Sequence, residues 1–249
     1  QWSSPAIAEL GGVPQVIFGG GDGWTYSFTL EGDGNGNAEL LWKFDGNPKE
    51  AKFILGGRGT RNEPIAPPVV CDGLVYIVMG QDYEHGEGVG DIWCIDPNRR
   101  GDVSSELAVD ANGNEIPHRM RQAVVPEDGE RAIPNPNSAV VWHYDERDLN
   151  RDGTIAWEEE MHRSLSPPAI KDDLLIVPDF SGLVHCFDAK TGERYWGYDA
   201  FSAIWGSAMI VEDKVYVADE EGDVAIFELS PRMTLLAEVY TGGSGSIYA

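Results

Sequence analysis

Apolar residues in this chain fall in short runs of mainly Val, Ile, Leu, Tyr, Trp and Phe, each closed by Gly, Asp or Pro. Such runs fit strands a few residues long joined by tight turns, and 30 glycines and 15 prolines among 249 residues supply the turns. The runs recur in one order: a small-Pro-apolar segment, a strand ending in Gly or Asp, a Gly-led aromatic strand, and a Trp-centred strand ending in Asp. The first unit has Ser4-Pro5-Ala6-Ile7, then residues 15–19, 23–28 and 41–45. The second has 67–70, 74–79, 90–96 and 141–145, and the third has 167–170, 174–179, 182–188 and 195–199. The fourth matches at 207–210, 214–219 and 223–227, but Leu236-Ala237-Glu238-Val239-Tyr240 lacks the Trp.

Four strands per unit make one blade, and the 40 residues from Pro168 to Ala208 fit the period of a four-stranded propeller blade. The predicted fold is therefore all-β, a β-propeller of four-stranded antiparallel blades with about four blades present. Their bounds are approximately 1–48, 64–145, 164–200 and 205–241, and a next unit begins at 244–249. Insertions fall at 97–138, expected to be a partly ordered polar excursion, and at 146–163. A blade cannot bury both apolar faces alone, so Trp42, Trp142 and Trp196 are expected to pack between neighbouring blades.

One stretch carries a specific resemblance. Gly182-Leu183-Val184-His185-Cys186-Phe187-Asp188-Ala189-Lys190-Thr191-Gly192-Glu193-Arg194-Tyr195-Trp196 resembles the Gly-apolar-x-x-x-apolar-Asp-Ala-x-Thr-Gly-x-x-x-Trp motif of the pyrroloquinoline-quinone (PQQ)-like, or quinoprotein alcohol dehydrogenase-like, β-propeller repeats. Weaker forms cover most of the chain outside the insertions. Members of that family have about six to eight blades, so the resemblance implies that these blades form part of a larger propeller. It also implies a periplasmic or extracellular setting, and some relatives act in outer-membrane protein assembly.

Composition narrows the ligand classes. Eighteen basic against 42 acidic residues give a formal charge of −24, a field that repels phosphate backbones and anionic lipid surfaces and attracts cations or basic protein partners. Nucleic acid is thereby excluded as an expected partner. No apolar run reaches the length of a membrane-spanning helix. Cys71, Cys94 and Cys186 lack the spacing of a zinc ribbon or haem attachment site, and Cys94 and Cys186 occupy equivalent strand positions, as core residues do.

The most specific chemistry lies in the second insertion. Residues 148–159, Asp-Leu-Asn-Arg-Asp-Gly-Thr-Ile-Ala-Trp-Glu-Glu, fit the twelve-residue EF-hand loop. Asp148, Asn150 and Asp152 supply side-chain oxygens, Gly153 permits the sharp turn, Thr154 offers its carbonyl, and Glu159 closes the shell. Residues 157–162 read as a short exit helix, whereas a strand precedes the loop. A lone EF-hand-like loop binding a structural calcium ion is expected. Asp33-Gly34-Asn35-Gly36-Asn37 starts similarly but lacks the closing acid and reads as a polar turn.

If strands alternate in direction, three unusual loops share one end of the blades: 47–63 with Arg58 and Arg61, 81–90 with Asp82, His85 and Glu87, and the calcium insertion. The excursion at 97–138 should leave from the opposite end. The two arginines either clamp an external carboxylate or form internal ion pairs. The resulting expectation is a non-catalytic propeller that serves as a scaffold or protein-binding module. The alternative is a PQQ-dependent alcohol or sugar dehydrogenase with an active site partly outside this chain. Against bound PQQ stand the lack of adjacent cysteines and the peripheral place of the calcium motif.

Overall fold

The computed structural model describes residues 3–55, 59–81 and 88–242. Strands β1 (Ala6–Leu10), β2 (Val13–Gly19), β3 (Trp24–Thr29) and β4 (Leu40–Asp45) pair antiparallel in chain order. Next come β5 (Val69–Cys71), β6 (Leu74–Met79) and β7 (Asp91–Ile95), followed by the inserted β8 (Gly101–Asp102), β9 (Glu106–Val109) and β10 (Arg131–Pro134). The second sheet is completed by β11 (Val140–Tyr144), giving the order β11-β7-β6-β5. The third sheet runs β12 (Ala169–Lys171), β13 (Leu174–Pro178), β14 (Leu183–Asp188) and β15 (Arg194–Asp199). The fourth runs β16 (Met209–Val211), β17 (Lys214–Ala218), β18 (Asp223–Glu228) and β19 (Leu235–Tyr240). Predicted and observed strands agree to within a few residues.

Register explains the recurring Trp. In the first, third and fourth sheets the last two strands slip by one residue just before a Phe, at Ser27/Phe28, Cys186/Phe187 and Ile226/Phe227. The residue before each slip faces Trp42, Trp196 and Ala237 respectively. Such a bulge bends the strand and sharpens its twist, which aims the side chain opposite it. Ala237 therefore stands where the first and third sheets have Trp.

The chain divides into two units, Gln1–Gly88 with Trp93–Val141, and Val89–Ile92 with Trp142–Ala249. In the first, Ile17, Leu41, Trp42 and Phe44 share one buried core with Val75, Ile77, Met79, Trp93 and Ile95. Trp42 Nε1 is kept inside by a hydrogen bond to Gln15 Oε1 at 3.1 Å. In the second, Leu174, Ile176, Val184, Cys186 and Trp196 share a core with Val215, Val217, Ala225 and Phe227. Trp196 donates Nε1 to the Ser230 carbonyl at 3.0 Å, and Trp142 does the same to Ala189 at 2.8 Å.

These contacts account for the Asp-Ala-x-Thr-Gly text. Asp188 Oδ1 accepts the N–H groups of Lys190 and Thr191 at 2.9 and 2.8 Å, forming the turn. Gly192 then takes φ +72° with the Trp142 ring so close that a Cβ would lie 2.6 Å from it. Burial of one such indole removes roughly 150–250 Å² from water, on the order of 4–6 kcal/mol before entropy. Cys94 and Cys186 are buried free thiols, each pushed up to about 12 by burial, as inert core residues should be.

Two expectations are corrected. The 97–138 insertion is ordered: β8 joins β4 in parallel, and β9 pairs with β10 as an antiparallel hairpin. It also does not stay at the end from which it was expected to leave, but reaches the 47–63 loop and the turn between β2 and β3. Phe53 N donates to Arg121 O at 2.7 Å and Val124 N to Lys49 O at 3.1 Å, while His118 Nε2 lies 3.2 Å from Asp22 Oδ2. Backbone hydrogen bonds to the first sheet and its loops order a segment whose own text is polar. Residues 157–162 form no helix beyond the single 3₁₀ turn Trp157–Glu159, because Glu160 returns to extended backbone and Met161 N is taken by the Asp145 carbonyl at 2.6 Å.

Candidate metal centre

The loop at 148–159 is held at its stem before any ligand is considered. Tyr144 donates its hydroxyl to Glu159 O at 2.6 Å, Met161 N bonds Asp145 O, and Glu146 bridges Glu160. Within the loop, Asp148 Oδ1 accepts Asp152 N at 3.1 Å and its Oδ2 accepts Gly153 N at 2.9 Å. Asn150 Oδ1 accepts Asp152 N at 2.8 Å, and Asp152 Oδ1 accepts both the N–H and the hydroxyl of Thr154, at 2.9 and 2.6 Å. Gly153 adopts φ +89° and Arg151 +60°, which lets the chain curl back on itself.

Glu159 closes the loop from inside. Oε1 accepts the N–H groups of Leu149 and Asn150 at 2.9 and 3.0 Å, and Oε2 accepts that of Ala156 at 3.0 Å. The residue is only 7% exposed, so a buried carboxylate faces three aligned N–H donors. The Thr154 hydroxyl, and then its N–H, hold Asp152 below the usual carboxylate range. An all-oxygen set of this kind, with Asp148, Asn150, Asp152, Thr154 and Glu159 as the residues that would hold an ion, suits a hard cation such as calcium.

Two related loops close differently. Asp33 Oδ1 accepts Asn35 N and Asn37 N at 2.8 and 3.1 Å, and Asn37 donates its amide to Oδ2 at 3.0 Å. The Asp110 loop repeats this with Asn112 N and Asn114 N, both at 2.8 Å, and the Asn114 amide at 3.0 Å. Asn37, through its amide and then the loop N–H groups, holds Asp33 down to about 2, and Asn114 lowers Asp110 likewise. In both, an amide already answers the outer carboxylate oxygen, so the polar-turn assignment for residues 33–37 stands.

Of the residues expected on a ligand face, Arg58, Asp82, His85 and Glu87 lie outside the described residues. Arg61 is described, and it is buried. Its Nη2 donates to Asp45 Oδ1 at 3.0 Å and its Nε to Asp22 O at 3.1 Å, while Lys49 Nζ meets Asp45 Oδ2 at 3.1 Å. Of the two alternatives for this arginine, the internal ion pair is the one formed. Sequence reasoning missed two further groups. Buried His185 has Nε2 3.0 Å from Asp179 Oδ2, and Asp91, His143 and Asp145 converge beside the loop stem. Asp91 and His143 are 52 residues apart, beyond any local motif, although the i, i+2 placement of His143 and Asp145 in an extended segment is a legible hint.

Sheet order, register and the Trp-covered turns define the class: an all-β protein of four-stranded antiparallel propeller blades. Residues 136–231 match a PQQ-type family model described as outer membrane protein assembly factor BamB. A curated relative, outer membrane protein assembly factor BamB of Shewanella oneidensis, is 32% identical over 82 residues, covering 32% of this chain and 21% of the relative. The crystal structure of BamB from Moraxella catarrhalis superposes at a TM-score of 0.55 with 15% identity, covering 97% of this chain and 51% of that one. A europium-containing methanol dehydrogenase aligns at a TM-score of 0.41 and 14% identity over 79% of this chain and 26% of its own. The chain thus spans about half the length of the solved relative. Residues 136–231 carry the similarity to the PQQ-type family model, and the fold of the described sheets is that of the solved relative.

Proposed function

We propose that this chain acts in the periplasm as a non-catalytic propeller scaffold that binds protein partners during outer-membrane protein assembly, stiffened by one calcium ion in the loop at 148–159. The observation that carries the scaffold role is the match of residues 136–231 to the assembly-factor family model. The acidic surface favours partners with basic faces. Support for calcium comes from the five-residue oxygen set and from the closed stem, which positions Glu159 before the ion arrives.

Photo-crosslinking of the chain, exported to the periplasm of a Gram-negative host, is expected to capture outer-membrane assembly proteins. Dye reduction with alcohols or sugars by purified protein supplied with PQQ would overturn the non-catalytic assignment. For the loop, metal analysis is expected to find one calcium per chain, lost on substituting Glu159→Gln. Calcium at about 100 times its Kd adds about 2.7 kcal/mol. Melting should therefore rise by roughly 5–10 °C on adding calcium to chelated protein and stay fixed in the variant.

A further inference from the structure

Beside the loop stem, three side chains with metal-binding atoms converge from separate stretches of chain. Asp91 opens β7, His143 lies on β11, and Asp145 follows the end of that strand. His143 Nε2 is 2.7 Å from Asp91 Oδ1, and one ligand atom from each of the three residues lies within 4.8 Å of the others. Asp91 is buried and the other two are half-buried, so the group is sheltered yet reachable.

The backbone around the group is tied on both flanks. Asp145 Oδ1 accepts Glu146 N at 2.7 Å, and the Asp145 carbonyl accepts Met161 N. Met161 O in turn accepts Gly90 N at 2.6 Å, next to Asp91. Gly90 passes so near the stem that a Cβ there would lie 2.5 Å from the His162 carbonyl. The three donors are therefore carried on a fixed frame.

We propose that Asp91, His143 and Asp145 form a second divalent-metal site, of zinc type, independent of the calcium loop. An imidazole with two carboxylates suits a borderline transition-metal ion, whereas the neighbouring all-oxygen loop suits calcium. Two carboxylates and a neutral imidazole balance the +2 charge, and water completes a tetrahedron. Tetrahedral ligand atoms around zinc stand about 3.3 Å apart. The present His143–Asp91 contact must accordingly open by about 0.6 Å, a carboxylate-rotation scale of movement. The metal displaces the hydrogen between these two groups, that proton leaves to solvent or moves to Nδ1, and the neutral imidazole then ligates through Nε2 with its one proton on Nδ1.

The test uses protein stripped with EDTA, reloaded with calcium and titrated with zinc chloride in a calorimeter. One equivalent of zinc should bind, at least tenfold more weakly in His143→Ala and in Asp91→Asn. Glu159→Gln should lose calcium and keep zinc, and Cys71→Ser should leave zinc unchanged by removing the half-buried thiol as a competing ligand. Circular dichroism checks the fold, and Asp145→Asn replaces any variant that fails to fold. Absence of zinc binding in the parent protein, or undiminished binding in His143→Ala, overturns the site. Loss of zinc in a folded Glu159→Gln overturns its independence from the loop.

Discussion

The third and fourth sheets share a frame and differ in what fills it. Each turns between its second and third strands on an Asp whose Oδ1 collects backbone N–H groups: Asp179 from Ser181 and Leu183, Asp219 from Glu221, Gly222 and Asp223. Gly182 and Gly222 take φ +100° and +94° in those turns. Facing positions then diverge, with His185 opposite Gly197 in one sheet and Ala225 opposite Glu238 in the other. His185 fills its sheet and reaches Asp179, whereas beside Ala225 lies a cavity of ≈ 170 Å³ also lined by Val217, Asp219 and Glu238. Trp196 is replaced by Ala237, and Leu236, Val239 and Tyr240 around it are exposed. Turn and bulge are thus enough to make the sheet, while the large side chains decide what it packs against.

Four substitutions probe that division. Trp196→Ala should cost about 3–5 kcal/mol in urea unfolding, because it empties the buried space beside Phe227, while Ala237→Gly should cost only about 1 kcal/mol. Equal losses would erase the distinction. His185→Ala should cost about 1.5–3 kcal/mol by depriving buried Asp179 of a partner. Burial holds His185 below its usual range, so the fold keeps it neutral. Its contribution is present above the unfolded value of 6.5 and is lost as pH falls below it, and the alanine variant should show a flatter stability profile there.

Ala225→His is the converse test. Placing an imidazole against Asp219 and the cavity should raise stability by up to about 1 kcal/mol, a gain readable as a shift of the urea midpoint. The smallest effect concerns the turn after each third strand, where Asp188 matches Glu228 in register. Asp188 accepts the Tyr195 hydroxyl at 2.9 Å, and this bond, with some desolvation, pushes the phenol up to about 12. Asp188→Asn should return the Tyr195 midpoint toward 10 in an ultraviolet titration. In the parent protein this contribution is intact below pH 10 and fades as pH rises toward about 12.

The strands were legible because their side chains carry the pattern and their ends carry Gly, Asp or Pro. Strand β8 was not, since its ordering comes from a partner elsewhere: Gly101 and Asp102 are paired by Trp42 and Lys43, and nothing in their own text marks them. The oxygen-rich loop at 148–159 could be read because its oxygen donors fall within twelve residues. Asp91 and His143 meet only through the pairing of β7 with β11, so their proximity required the fold. Arg61 was legible as a charge but not as a partner, because Asp45 reaches it across the end of the first sheet.

Strand β8 has a further meaning for recognition. By lying along β4, it occupies the outer rim of hydrogen-bonding groups on the first sheet, where Val103 N already takes the Lys43 carbonyl at 3.0 Å. An extended peptide seeking to lengthen that sheet finds its place filled. Among the described residues, the second, third and fourth sheets end in β11, β15 and β19 with no added strand, so an extended peptide would find its open margins there rather than on the first sheet.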